Sequence, residues 1–478
     1  MSAATLSSLL DAWAKERPDA TAIASLSRPP LSHAAFAAAS RRVAEGLSRQ
    51  GIGPGDRVAL LLPNRPEMAV LLVALARLSA IAVPLDPRFG VEEIATFLSR
   101  ARASAVAVAM GAAGWGTGQA PLAQRLAEVL PDTRAPLRFV IGLDTGGATT
   151  LAGLPVVSWP SLDAVPEYEG EAARAEAAFL ALPAAEGRLA MHRQQSVAAH
   201  ARAVAERLGL DASESGLLAA LPWAAPTGMA AVMSALLSGT RLLCQEEAGG
   251  AAADSLARAH RATHLLAWPA TWVEMAPLAE RRPYPALVFA GCDGTPPDSA
   301  AVLSLRRVWG MAETQGLFAT AEDGPLIPVG PAELRLGEAL EIRSPSLLCG
   351  WLGEDAHHEE EAFFGTGVPA ALDGDGFALS EGGPLRLEDM VIRPEEVARF
   401  LRRQPEVEEA VVVAASPEGA LVGFLRATAE AEPDAAVLLA RCRHAFAPAK
   451  VPARLAFVEH LPDEAMLNDA AAALVGAA

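Results

Sequence analysis

Val58-Ala-Leu-Leu-Leu-Pro-Asn64, followed by Ala82-Val-Pro-Leu-Asp86-Pro87, is the stretch on which the fold turns. Each run is short, apolar and closed by proline and a turn-forming residue, which is how a strand buried on both faces reads. Residues 65–79 between them have the length and spacing of a helix. Strand, helix, strand in this order implies parallel strands joined by a crossover helix. The same alternation extends outward. Residues 8–17 read as a helix and 21–25 as a strand. Residues 32–50 read as a helix entered through a Ser32 cap and stopped at Gly51. Residues 91–100 read as a helix and 105–110 as a strand.

Residues 111–119 are glycine-rich and read as a loop. Weaker strand–helix alternation continues to residue 310, and residues 331–352 are β-rich. Beyond them, 394–402 is a helix, 407–414 and 420–427 are strands, and 435–444 is a helix. That tail is a small α+β unit. A chain of 478 residues is long enough for two domains.

Composition excludes several function classes. The longest apolar run, residues 68–85, is interrupted by Arg77; it reads as a buried helix and strand, since a membrane span needs about 20 unbroken apolar residues. The first ten residues carry no basic segment and no apolar core, so no signal peptide is expected. Cys244, Cys292, Cys349 and Cys442 are far apart and show no paired spacing, which fits a reducing cytoplasm rather than a zinc site or disulfide framework. His357-His358, followed by three glutamates, reads as a solvated helix face. The net charge of −18 argues against nucleic acid and anionic membranes as partners. Only two lysines occur, Lys15 and Lys450.

Ordered motifs then point to a family. The opening pair of strands, Leu221-Pro222 with Gly228, and Ala290-Gly291 with Pro296 keep one order along the chain. They continue with Trp309-Gly310-Met311-Ala312-Glu313-Thr314, Glu341 to Pro345, and Phe364-Gly-Thr366-Gly367. Arg386-Leu-Glu-Asp389, Lys450-Val-Pro452 and Leu461-Pro462 complete the series. Together they resemble the AMP-forming acyl- and aryl-CoA synthetases, which share a fold with luciferases and peptide-synthetase adenylation domains. The resemblance covers residues 5–475. It implies an α/β protein with a large N-terminal domain, 1–387, made of parallel αβ subdomains and a β-rich subdomain. A small C-terminal α+β domain, 388–478, would follow a hinge near 387–389.

In that family a carboxylate attacks the α-phosphate of ATP, and a thiol then attacks the acyl-adenylate. Such chemistry depends on positioning and on stabilising phosphate charge. The resemblance allows each tool to be sought residue by residue. The phosphate loop T-S-G-T-T-G-x-P-K aligns with Leu182 to Ala190. Its hydroxyls are gone, Ala190 stands at the lysine position, Pro183 removes an N–H donor, and Glu186 adds negative charge. Arg188 is the one compensating cation there; otherwise the segment reads as a surface loop. In the Y-G-x-T-E counterpart, Trp309 is placed to stack on adenine, and Ala312 has lost a hydroxyl. Glu313 matches the magnesium-associated glutamate, although Mg²⁺ needs phosphate partners too. Val368 replaces the ribose-binding aspartate of F-x-T-G-D. Arg386 matches the ribose-side arginine and is otherwise a salt-bridge former. Arg393 runs directly into Pro394, without the glycine-rich loop of the thioester step. Asn468 stands at the catalytic lysine position.

The resemblance therefore implies remnants, Glu313, Arg386 and Thr366, rather than a catalytic set. A residual nucleotide site would use Gly291, Trp309, Gly310 and Arg386, and an acyl pocket would use Trp223, Gly228 and Met311, with Trp272 as another wall. No metal site is expected beyond Glu313. Cys292 is either a reactive thiol or a small buried hydrophobe, and His192 either a lone base or an exposed loop histidine, the second being expected in each case. The reading is a catalytically degenerate, cytoplasmic pseudoenzyme that needs no cofactor. It would act as a partner of an active synthetase or pathway enzyme, as a homodimer or scaffold, or as a small-carboxylate binder. The alternatives are a divergent active AMP-forming ligase using ATP, Mg²⁺ and CoA, and an enzyme of another class on this scaffold. The deletion after Arg393 also implies a fixed interdomain arrangement.

Overall fold

The computed structural model describes residues 5–112, 115, 120–354, 358–359, 361–380, 385–387, 390–415, 420–429, 434–463 and 466–476. Strand Arg57–Leu61 pairs in parallel with Ile81–Leu85 on one side and Ala105–Ala109 on the other. The helix between the first two, Pro66–Arg77, starts with proline at its first turn, where the missing N–H costs nothing. It is buried along nearly its whole length. Arg77, the interruption in the apolar run, is tolerated because both guanidinium NH groups meet Asp11 at 2.9 and 2.7 Å and its Nε meets Ser40 at 3.1 Å.

These strands belong to one of two nine-stranded sheets. The first also contains Ala178–Pro183, Phe139–Leu143 and Leu154–Ser158. In the second, Thr21–Ala24, Arg241–Leu243, Gly216–Ala220, His264–Ala267, Phe289–Asp293 and Arg306–Met311 run parallel in that spatial order. Helices Pro66–Arg77, Gln194–Leu208 and Pro226–Ser238 share one core cluster with residues of both sheets. Helix His33–Arg49 is capped by Ser32, whose Oγ accepts the Ala35 N–H at 3.2 Å.

A smaller sheet of Glu333–Leu336, Leu340–Arg343 and Phe364–Gly365 forms the β-rich part. The C-terminal unit pairs Val407–Ala414 with Leu421–Ala427 antiparallel and adds Arg454–Phe457 parallel. Helices Pro394–Arg402, Ala435–Ala445 and Leu467–Gly476 accompany these strands. This is a mixed α/β architecture with a large N-terminal and a small C-terminal part. No described helix is long and apolar enough to cross a membrane.

One local expectation changes. The described residues of the 357–361 region, His358, Glu359 and Glu361, are not helical; the His358 ring instead meets Phe364 edge-on at 6.1 Å. His357, residues 388–389 of the expected hinge and most of the 111–119 loop lie outside the described residues.

Candidate functional site

Parallel α/β sheets place ligands at the carboxyl ends of their strands, where successive loops diverge. A cavity of about 70 Å³ lies there, between the two sheets. It is bounded by residues that follow Ile81–Leu85 (Asp86, Phe89), Gly216–Ala220 (Ala224 to Pro226) and Arg306–Met311 (Met311 to Glu313), and by the end of Ala178–Pro183. Phe97 closes one side, its ring stacked on Phe89 at 5.1 Å. Met390 and Lys450 reach in from the C-terminal part. A usual small-molecule pocket holds roughly 300–1,000 Å³, so this one is well below that size.

Its charges are already committed. Asp86 and Arg88 form a buried pair, with Nη2 to Oδ2 at 2.6 Å and Nε to Oδ1 at 2.9 Å. Arg125, 1% exposed, donates to the carbonyls of Pro87 at 2.8 Å and of Phe89, and so braces the loop that carries Asp86. Among the described lining residues Lys450 is the one cation. Its Nζ lies 2.7 Å from Glu93 and 3.0 Å from Glu396. The two carboxylates outweigh burial and push its pKa up, so it remains charged and shared.

Glu313 lines the cavity from a tight turn, Ala312–Thr314. That turn is braced by Thr314, whose Oγ1 accepts the Met311 N–H at 3.3 Å and donates to the Met311 carbonyl at 3.1 Å. His192 supplies a second brace. It is fully buried in strand Leu189–Arg193, not exposed on a loop as expected, and its Nε2 lies 2.8 Å from the Ala312 carbonyl. Burial pushes its pKa down to about 4, so the ring is neutral and Nε2 donates.

The segment aligned with the phosphate loop is a β-hairpin turn between Ala178–Pro183 and Leu189–Arg193. The Ala184 N–H is spent on the Arg188 carbonyl at 2.9 Å and the Arg188 N–H on the Ala185 carbonyl at 3.2 Å. Glu186 and Gly187 take left-handed conformations, φ 61° and 68°. Glu186 pairs with Arg393 at 2.8 Å. Arg188 offers no compensation to a phosphate: its guanidinium grips Glu354 at 2.8 and 3.0 Å and lies 3.7 Å above the Trp351 ring. Ala190, at the expected lysine position, is buried within the hairpin.

The remaining expected site residues are spread through the core. The Trp309 ring, 5% exposed, sits edge-on to Phe318 at 5.9 Å and to Phe377 at 5.3 Å. It is a core side chain here rather than an open stacking surface. Val368 packs in the same cluster. Thr366 braces the strand turn beside it, donating to the Leu340 carbonyl at 2.8 Å and accepting the Val368 N–H at 3.0 Å. Trp223 is fully buried and does not line the cavity; its neighbours Ala224 and Ala225 do. Trp272 is buried behind the sheet, donating to the Gly291 carbonyl at 3.1 Å.

The expected glycines answer to packing. A Cβ on Gly310 would lie 1.4 Å from the Gly316 carbonyl oxygen, and one on Gly228 would lie 2.0 Å from that of Pro222. A Cβ on Gly291, in strand Phe289–Asp293, would lie 2.4 Å from the Leu266 side chain. Cys292 is fully buried, and burial pushes its thiol up to about 12, so it behaves as a small hydrophobe. Asn468 is exposed on Leu467–Gly476 and does not line the cavity. Arg386 lies on strand Leu385–Leu387, and its side chain lies outside the described residues. Among the described residues no cluster of metal-ligating side chains occurs. Among the described residues lining the cavity, none is an uncommitted cation or part of a metal-ligating cluster that would hold a nucleoside triphosphate with Mg²⁺.

Comparison with known proteins supplies the context. A family model described as AMP-binding enzyme matches residues 10–167. The chain is 30% identical over 265 residues to a Streptomyces griseus protein called Protein Y, a match covering 54% of this chain and 82% of that one. It is 25% identical over 517 residues to a propanoyl:CoA ligase from Mycobacterium tuberculosis whose acyl group carries a methyl-dioxo-octahydroindenyl ring, covering 96% of each. The fold superposes on that of o-succinylbenzoate CoA synthetase from Bacillus subtilis with a TM-score of 0.79, at 18% identity and 96% coverage of each chain.

Proposed function

We propose that this chain, which belongs to the superfamily of AMP-forming, adenylate-forming acyl- and aryl-CoA ligases, keeps the framework of that family and does not form acyl-adenylates. One observation carries the reading: the cavity at the strand ends measures about 70 Å³, and its one described cation is already held by Glu93 and Glu396. A triphosphate brought there would find no uncommitted lysine or arginine among the described lining residues.

The hairpin supports the same reading. A phosphate cradle works by aiming consecutive backbone N–H groups at oxygens. Here Pro183 has none, and the N–H groups of Ala184 and Arg188 close the turn on itself. Burying Val368 and Trp309 in one apolar cluster removes the ribose acceptor and the adenine platform together.

The role that remains is non-catalytic. The protein acts as a partner or scaffold for an active ligase or another enzyme of its pathway, or pairs with a second copy. A small carboxylate is a poor ligand for this cavity, since its one described cation, Lys450, is already held by Glu93 and Glu396. The test is isotope exchange between pyrophosphate and ATP with a panel of aliphatic and aromatic carboxylates. No exchange above the protein-free rate is expected with any of them. Exchange at the turnover of an ordinary ligase, on the order of 1–10³ s⁻¹, would overturn the reading.

A further inference from the structure

We propose that Glu93 and Lys450 form a buried pin that holds the C-terminal unit in one orientation on the large N-terminal part. The pin stands on geometry alone and does not depend on whether adenylation is lost. Glu93 lies in the first turn of helix Val91–Ala101 and is 2% exposed. One carboxylate oxygen, Oε2, accepts the N–H of Gly90 at 3.1 Å in its own chain turn. The same oxygen accepts the N–H of Ala447, from the C-terminal unit, at 2.7 Å. The other, Oε1, lies 2.7 Å from Lys450 Nζ. A single side chain of the large part thus takes two donors from the C-terminal unit, one of them backbone. Lys450 is tied back into its own unit through Glu396, on helix Pro394–Arg402, at 3.0 Å.

Three further features make the contact a fixed joint. Gly90 lets the two backbones touch: a Cβ there would lie 2.3 Å from the Ala445 carbonyl carbon and oxygen and 2.4 Å from the Phe446 nitrogen. The apolar cluster is continuous across the joint, running from Leu85, Phe89 and Phe97 to Leu401, Phe446 and Ala447. Phe400 and Phe446 meet edge-on at 5.1 Å within it. The buried charges are partnered, Arg88 by Asp86 and Lys450 by Glu93, with the half-exposed Glu396 as the second carboxylate on Lys450. Sliding or rotating the unit would strand Glu93 as an unpaired buried carboxylate, which is strongly unfavourable. The peripheral pairs Arg403–Glu92 at 2.9 Å and His444–Glu128 at 2.8 Å are exposed and add little.

Amide hydrogen exchange on the full chain tests the pin, reading the segment 445–451 against strand Leu421–Ala427 as an internal reference. In the wild type both are expected to exchange equally slowly. In Glu93→Ala, exchange across 445–451 is expected to rise at least about 100-fold, while the reference strand keeps its protection. Glu93→Gln keeps an acceptor for the two N–H groups and loses the charge, so its effect should be intermediate. If Glu93→Ala loses the reference protection as well, Glu93→Gln and Lys450→Met decide, each by selective exposure of 445–451. Fast exchange of 445–451 in the wild type would overturn the pin. So would exchange of that segment unchanged relative to the reference in the three variants.

Discussion

At the scale of single residues, two buried histidines contribute strongly to how the protein meets acid. His192 and His200 are both buried, and burial pushes each pKa down to about 4. His200 Nδ1 lies 2.8 Å from Ser346 Oγ. An unfolded histidine takes its proton near pH 6.5. Below that value the unfolded chain binds protons that the folded one refuses, so stability is lost as pH falls from about 6.5 towards 4. Each histidine should cost about 2 kcal/mol between pH 7.5 and pH 5. Urea unfolding at the two values checks this, and His192→Gln, which keeps a donor for the Ala312 carbonyl, should show a smaller loss. A wild type equally stable at both pH values would contradict it. The burial of Cys292 is legible from residue type alone. That of His192 is not, because its register depends on the pairing of 189–193 with 178–183 and with Gly350–Trp351. Lys450 is legible as part of a Lys-Val-Pro motif, but its partners are distant in sequence: Glu93 is recruited across the fold.

At the scale of elements, the first hundred residues are the most legible part. Strands Arg57–Leu61 and Ile81–Leu85 are buried except at Arg57, and the helices begin at capping or proline positions, so local pattern and tertiary packing agree. The helix Pro394–Arg402 and the strand Val407–Ala414 follow from pattern for the same reason. The 357–361 region does not, because a charge run carries no information about which backbone it rides on. The hairpin 184–188 is legible as a loss of hydroxyls and glycines. Its actual bonding is not, since Glu186 finds Arg393 and Arg188 finds Glu354 and Trp351 only in the folded chain. The Glu186–Arg393 tie is half exposed at both ends, so Arg393→Ala should change unfolding stability by less than about 1 kcal/mol. A loss several times larger in urea unfolding would mean that the hairpin, and not the Glu93 pin, carries the attachment of the C-terminal unit.

At the scale of the whole molecule, two sheets bring their strand ends to one place, and the chain has filled that place with its own side chains. Phe89, Phe97, Met311 and Met390 narrow the space, and carboxylate–cation pairs satisfy one another around it. The C-terminal unit meets the large part through a continuous apolar cluster and the Glu93–Lys450 ion pair. The architecture is legible from ordered motifs because they encode strand ends and close backbone approaches, which the framework still needs. The closing of the cavity is not, because it comes from side chains far apart in the sequence. The most direct test of the central claim is calorimetric titration of the full chain with ATP, with and without Mg²⁺, at protein concentrations that detect weak binding. The account predicts no binding heat in either condition and no displacement signal from AMP. Clear saturable binding of Mg·ATP that AMP competes away would contradict it.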